Sequence, residues 1–314
     1  MRNISDARKD TAIKILKDEL DITPIEVTRF PTGYCHSVYH VKTIDGELVL
    51  RITENALERY YLGSVKWLTK LAQLDIPAPV ILKHGQYSDV YFALMSYMPG
   101  KDLGEIYHTL NENQKRGIVK CLSAIQRKVA ELPSTGRYGY QDAMCESFTT
   151  WLEYIESGIE RSSRQIKQNG IFSADICDSV TAIMHKFKEY FLSVPSKAFL
   201  DDITTKNVLI NEGKLTGIVD IDEMCYGDPV LTLGLTNMAL LAIKADTNYI
   251  DYWLDEMSAS QAQRKVLEFY TLYFCIDFMS AQGIKWDNGN HTVHNQEIVD
   301  ILTAIYHKLL KKLS

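Results

Sequence analysis

The chain is 314 residues long, 46% hydrophobic and 24% charged, with a net charge of −6; that length suits two lobes better than one small core. The acid excess argues against a nucleic-acid binder built on a broad basic surface, and no apolar run reaches membrane-spanning length. Met1 to Asp6 lacks a hydrophobic signal core, and six scattered cysteines without a C-x-x-C pair read as reduced thiols of a cytoplasmic protein.

In chain order, Ala12, Ile13, Ile15, Leu16 and Leu20 recur at helical spacing over residues 7–21, with Ser5 or Asp6 as cap. Strands are predicted over 38–43 and 48–52, joined at Asp45-Gly46, a tight hairpin signal. Arg51 alternates with Leu50 and Ile52, so it projects from the opposite face of its strand. A helix follows over 55–74, then Ile76-Pro77-Ala78-Pro79-Val80, whose prolines favour extended backbone, and a strand over 91–95. From about 102 to 197 the spacing is helical, broken at Gly136, Gly139 and Gly170. Further helices are expected over 230–245, 248–257, 259–282 and 296–313. His291 and His294 have no carboxylate or thiol cluster around them in sequence and read as surface residues.

The stretch Phe199–Pro229 carries the chemistry. Asp202 is followed five residues later by Asn207, then by an apolar strand (208–210), a turn at Gly213 and a second strand that delivers Asp220. Phosphoryl transfer from a nucleotide needs a carboxylate to orient the acceptor hydroxyl, and a carboxamide and carboxylate to hold Mg²⁺ against the phosphates. A hairpin puts Asn207 just before one strand and Asp220 at the end of its partner, so both can converge on one metal.

This arrangement resembles the aminoglycoside phosphotransferase-like kinases, small-molecule relatives of the protein kinases. Their pattern, H-x-D-x-x-x-x-N, then I-D and G-D-P, is matched by Asp202, Asn207, Val219-Asp220 and Gly227-Asp228-Pro229. The family histidine, which braces the loop, is Leu200 here. The resemblance implies an α+β, protein-kinase-like, two-lobed fold. Residues 1–97 would form a nucleotide-binding lobe, an antiparallel sheet with one helix, and residues 98–314 a larger, mainly helical lobe with the catalytic loop and substrate site. It also implies ATP or GTP with Mg²⁺, Asp202 as the catalytic residue, and Asn207 and Asp220 as metal ligands. Gly33 and Ser37 would belong to the loop that covers the nucleotide, and Arg51, in the family's V-L-R sequence, would meet the non-transferred phosphates. Its acidic partner stays open between Glu58 and Glu54; alignment by eye puts Tyr61 where relatives carry Glu. Met95 would line the back of the purine pocket, Ser96 and Met98 would read the adenine edge through their main chain, and Val219 would complete the nucleotide contacts. Lys206 would add positive charge near the transferred group, and Asp228 would anchor the loop.

Over residues 200–260 eleven acidic residues face three lysines, which suits a cationic acceptor such as an aminoglycoside. Diffuse hygromycin-type features, Val49-Leu50-Arg51 and a Thr149-Thr150-Trp151 helix start, point the same way. Two alternatives remain open: a metabolic kinase of the same fold acting on choline, homoserine or methylthioribose, and a nucleotide-binding regulator without transfer activity. The expected partner is a small hydroxyl-bearing molecule, with no nucleic acid or membrane, and the chain is expected as a monomer or homodimer.

Overall fold

The computed structural model describes residues 8–31, 36–134, 136–140, 146–286, 291–292 and 295–314. They fall into two compact units, Met1–Lys101 with Val208–Glu223, and Asp102–Asn207 with Met224–Ser314. An N-terminal antiparallel sheet is followed by a mostly helical remainder, the arrangement that the kinase-like resemblance implies.

In the first unit, α1 (Lys9–Lys14) runs on as a π-helical segment, Ile15–Glu19. Five antiparallel strands follow in the sheet order β1-β2-β3-β5-β4: β1 Glu26–Arg29, β2 Ser37–Thr43, β3 Gly46–Glu54, β4 Ile81–Tyr87 and β5 Val90–Ser96. Alternation sorts their side chains onto two faces. Tyr39, Val41, Leu50, Ile52, Phe92 and Leu94 bury together with Ala12, Ile15 and Leu16. The register sets Val38 and Ala93 on either side of Arg51, and Met95 opposite Val49. Arg51 therefore shares the other face with Val49, Thr53, Ala93 and Met95. Against this face packs α2 (Glu58–Gln73), which buries Trp67, Leu68 and Leu71. The same unit holds the hairpin Val208–Asn211/Lys214–Ile218. Ile218 N–H donates to the Pro77 carbonyl at 2.8 Å, and the Thr216 hydroxyl to the Pro99 carbonyl at 2.6 Å.

The second unit packs around the helix Gln261–Ala281, which touches the helices Val230–Ala242, Trp151–Asn169 and Gln296–Leu313. Its core includes Trp151, Phe191, Trp253, Phe269 and Tyr270, all under 2% exposed. Capping boxes start three of its helices: Asn111 with Gln114, Thr150 with Glu153, and Ser260 with Gln263. Each pairs two main-chain N–H groups that the first helical turn leaves without partners. Within the stretch expected to be helical, Gly139–Tyr140 is a strand. It joins Ala198–Phe199 across Cys225–Tyr226 in a three-stranded sheet. That small sheet fixes the backbone immediately before Leu200. No disulfide joins the described cysteines Cys121, Cys177, Cys225 and Cys275; Cys35 and Cys145 lie outside the described residues. No helix among the described residues is long and apolar enough to cross a membrane.

Candidate active site

The loop from Leu200 to Asn207 belongs to the second unit. Asp202 is exposed, with the Thr204 hydroxyl 3.2 Å from its Oδ1. Asn207 is only 9% exposed, and its Nδ2 donates to the Asp202 carbonyl at 2.8 Å. With the Asn207 N–H donating to the Thr204 carbonyl at 3.1 Å, the loop is closed by its own main chain. Lys206 is exposed beside Asp102, whose carboxyl burial and Glu105 push up to about 6 while Lys206 pulls it back.

Leu200, at the position of the family histidine, is held through its main chain. The Gln126 carboxamide, on the helix Glu112–Val129, accepts from Leu200 N–H at 3.0 Å and donates to the Leu200 carbonyl at 2.8 Å. The Thr232 hydroxyl donates to that carbonyl too, at 2.8 Å. Leu200 is itself 2% exposed, so its apolar side chain packs while its main chain is clamped. Gln126→Leu leaves a half-buried N–H without its acceptor, at a cost of about 1–3 kcal/mol. We expect that variant to lower turnover at least tenfold with nucleotide affinity unchanged, since the clamp holds the loop two residues before Asp202; equal turnover in steady-state assays would count against it.

The hairpin register pairs Val208 with Ile218, so its second strand ends two residues before Asp220. Asp220 adopts φ 60°, left-handed backbone that a non-glycine residue occupies at a cost and that recurs where a side chain must be aimed. Dehydration by the surrounding protein, then the like charge of Asp222, push the Asp220 carboxyl above its ordinary value, while Arg51 and His36 draw it down.

Arg51 is 5% exposed, and its partner differs from either expectation. Its Nη2 donates to Asp222 Oδ2 at 2.6 Å, its Nη1 lies 2.6 Å from Asp222 Oδ1, and the same Nη1 donates to the Ser64 hydroxyl at 3.2 Å. Glu58 instead accepts from the Tyr91 hydroxyl at 2.5 Å, and Glu54 pairs with Arg8. Tyr61 stacks on Tyr91 with ring centroids 4.6 Å apart. The expected helix carboxylate is thus replaced by one from the segment after the hairpin. Burial would raise Asp222, but the His36 hydrogen bond and the Arg51 charge hold it below the ordinary carboxylate range. The sequence reading missed His36, Ser64 and Asp222; the one available hint was the D-x-D spacing of Asp220 and Asp222.

Of the other nucleotide candidates, Ser37 opens β2 opposite Ile52 and Met95 is 6% exposed on the Arg51 face. Ser96 donates its N–H to the Val80 carbonyl at 3.0 Å, so that group is engaged within the sheet region and its carbonyl is the main-chain group left to meet a base. Met98 lies in the coil after β5, where its Cε would sit 2.5 Å from a Cβ placed on Gly217. Val219 is half-buried between Ile218 and Asp220. Gly33 and His294 lie outside the described residues. Arg51, Ser37, Met95, Ser96, Met98, Val219 and Asp220 all belong to the first unit, and Asp202 and Asn207 to the second.

Asp228 is fully enclosed. Its Oδ2 accepts from the Tyr190 hydroxyl at 2.6 Å and the Tyr270 hydroxyl at 2.8 Å, and its Oδ1 from Val230 N–H at 3.1 Å. Trp151 Nε1 donates in turn to the Tyr270 oxygen at 2.7 Å. Burial pushes the carboxyl up, and the three donors oppose it. Of the eleven acids counted over 200–260, five pair with a cation: Asp222 with Arg51, Glu223 with Arg59, Asp246 with Lys115, Asp255 with Arg264 and Glu256 with Arg127; Asp201, Asp202 and Asp228 meet hydroxyls. Nearly half of these acids are therefore neutralised locally by a cation.

A family model described as the phosphotransferase enzyme family matches residues 26–267. Among solved structures, a thermostable mutant of aminoglycoside phosphotransferase APH(4)-Ia superposes with TM-score 0.67 at 16% identity over 96% of each chain. A protein described as a fructosamine-3-kinase from Haemophilus somnus 129PT gives TM-score 0.67 at 11% identity, again over 96% of each chain. ADP-bound aminoglycoside phosphotransferase APH(2'')-Ib gives 0.65 at 13% identity over 97% of this chain and 99% of its own. At these identities the likeness is one of fold. No curated protein matches the chain.

Proposed function

We infer the activity from one premise: the chain belongs to the phosphotransferase enzyme family. On that premise it is a kinase that moves the γ-phosphoryl group of ATP to a hydroxyl of a small molecule, with Mg²⁺. The observation that carries the reading is the order of parts along residues 202–220: a loop carboxylate, a loop-closing asparagine, a hairpin, and an aspartate in left-handed backbone at the hairpin's end. The APH(4)-Ia structures include complexes with AMP-PNP and hygromycin B, which supports nucleotide and small acceptor as the two substrates.

In this reading Asp202 orients the acceptor hydroxyl and takes its proton late, because the transition state is loose and asks little base strength. Asn207 and Asp220 hold the metal. They are hard oxygen donors, and among the described residues no group of three His, Cys, Asp or Glu could hold an ion by itself. That donor set fits Mg²⁺, which takes its remaining ligands from water and phosphate. When bound, the ion neutralises charge on the phosphate oxygens. Arg51 meets the non-transferred phosphates, Ser37 and Gly33 cover them, and Met95, Ser96, Met98 and Val219 surround the base. Residues 1–97 would serve the nucleotide and 98–314 the acceptor.

For the acceptor, the first reading is an aminoglycoside-type antibiotic, supported by the APH likenesses. A small metabolic alcohol or amino sugar is the second, favoured by the local ion pairing of five of the eleven acids and by the fructosamine-3-kinase likeness. Nucleotide turnover across a panel of aminoglycosides, choline, homoserine, methylthioribose and ketosamines separates them. Stimulation by an aminoglycoside alone establishes the first; stimulation by a metabolite alone moves the protein to the second. Nucleotide binding without stimulation by any acceptor would favour the regulator.

A further inference from the structure

We propose that Asp222 is the positioning residue of Arg51, doing from the segment after the hairpin what a helix carboxylate would otherwise do. The proposal rests on the phosphotransferase reading above and concerns how that site holds its phosphate-binding cation.

Four observations carry it. The α2 helix has a single acidic residue, Glu58, and that carboxylate is taken by Tyr91. Its contribution to Arg51 is the hydroxyl of Ser64, a residue 2% exposed. Asp222 engages both terminal nitrogens of the guanidinium at 2.6 Å, with side-chain exposures of 6% for Arg51 and 16% for Asp222. Charge-assisted contacts of this length, out of water, fix an arginine's direction as few other interactions do. Finally, His36, at the end of the β1–β2 connection, places Nε2 3.2 Å from the same Asp222 oxygen and Nδ1 3.1 Å from the Thr53 hydroxyl on β3. One carboxylate thus ties together the strand cation, the nucleotide-covering connection and, two residues away, the metal aspartate Asp220. Arg51 Nε has no partner among the described residues, so Asp222 and Ser64 alone set the guanidinium plane. The consequence is specific: Arg51 stays aimed without any acidic residue from α2, and the helix contributes only the Ser64 hydroxyl to holding the cation.

The test is calorimetric titration of ADP into the full chain, in MgCl₂ and again in EDTA. Asp222→Asn should weaken ADP about tenfold in both media, whereas Glu58→Gln should leave it within about twofold. In an Arg51→Ala background Asp222→Asn should add nothing, because two residues acting through one contact are not additive. Adding Ser64→Asp to Asp222→Asn should restore most of the loss by returning a carboxylate to the guanidinium from the helix side. Full affinity in Asp222→Asn, or a loss as large in Glu58→Gln, overturns the proposal. A loss confined to MgCl₂ also overturns it, since Asp222 would then act through the metal. Should Asp222→Asn fail to fold, Asp222→Glu, which keeps the charge but moves it by one methylene, should still weaken ADP in EDTA, and unchanged affinity there refutes the idea. A wild-type chain that binds no nucleotide in either medium removes the phosphotransferase reading itself, a result distinct from all of these.

Discussion

Replacing Asp202 by asparagine should lower kcat by about a thousandfold while ADP affinity and thermal stability stay at wild-type values. The side chain is exposed, with the Thr204 hydroxyl against one oxygen, and the loop fold rests on other atoms. Asn207 bonds the Asp202 carbonyl, not its carboxylate, and Gln126 with Thr232 holds Leu200. An asparagine at 202 preserves those contacts and removes the proton acceptor. A loss of less than tenfold would mean that another group receives the proton. A large fall in unfolding temperature would mean that Asp202 has a structural role that its contacts do not suggest.

The second large effect is on stability. Asp228→Ala strips the acceptor from two tyrosine hydroxyls and from Val230 N–H, all inside the second unit. The Tyr270 hydroxyl is committed by direction: its oxygen already takes the Trp151 N–H, so its own proton must go to Asp228. Leaving buried donors without an acceptor costs about 1–3 kcal/mol for each group, so the variant should lose about 3–9 kcal/mol for the three. Asp228→Asn should cost less, since one oxygen remains, but its amide cannot accept from Val230. Gly227→Ala should fall between them. Its φ of 155° lies at the edge of the range other residues avoid, and a Cβ there would sit 2.2 Å from the Trp151 ring, which is fully buried. Chemical denaturation of the three variants orders them directly, and an Asp228→Ala chain as stable as wild type would reassign the carboxylate from anchor to ligand contact.

Much of this architecture was legible in the sequence because it rests on local signals. Asp45-Gly46 marks a hairpin, alternation around Arg51 puts it opposite Leu50 and Ile52, and Thr149-Thr150-Trp151 marks a helix start. The order Asp202, Asn207, hairpin, Asp220 is likewise a pattern within one short stretch. What stayed hidden is the partner chemistry between distant residues. Arg51 and Asp222 are 171 positions apart and Gln126 and Leu200 are 74 apart, and neither pair leaves a periodic trace. Counting acids over 200–260 suggested an open anionic surface, yet a count cannot see that Lys115, Arg127 and Arg264 come from elsewhere in the same unit to meet them. The lost family histidine was visible, whereas the clamp on main-chain atoms at its position was not, because Leu200 contributes only backbone to it.

The central claim is transfer of a phosphoryl group to a small-molecule hydroxyl, and the measurement that bears on it most directly uses ATP labelled at the γ-phosphate. The full chain is incubated with Mg²⁺ and each acceptor in the panel, and label is followed into acceptor, into free phosphate and onto the protein. The account predicts label on one class of acceptor in the wild-type chain and none above background with Asp202→Asn. Label released only as free phosphate, at a rate that no acceptor changes and Asp202→Asn does not lower, would contradict it.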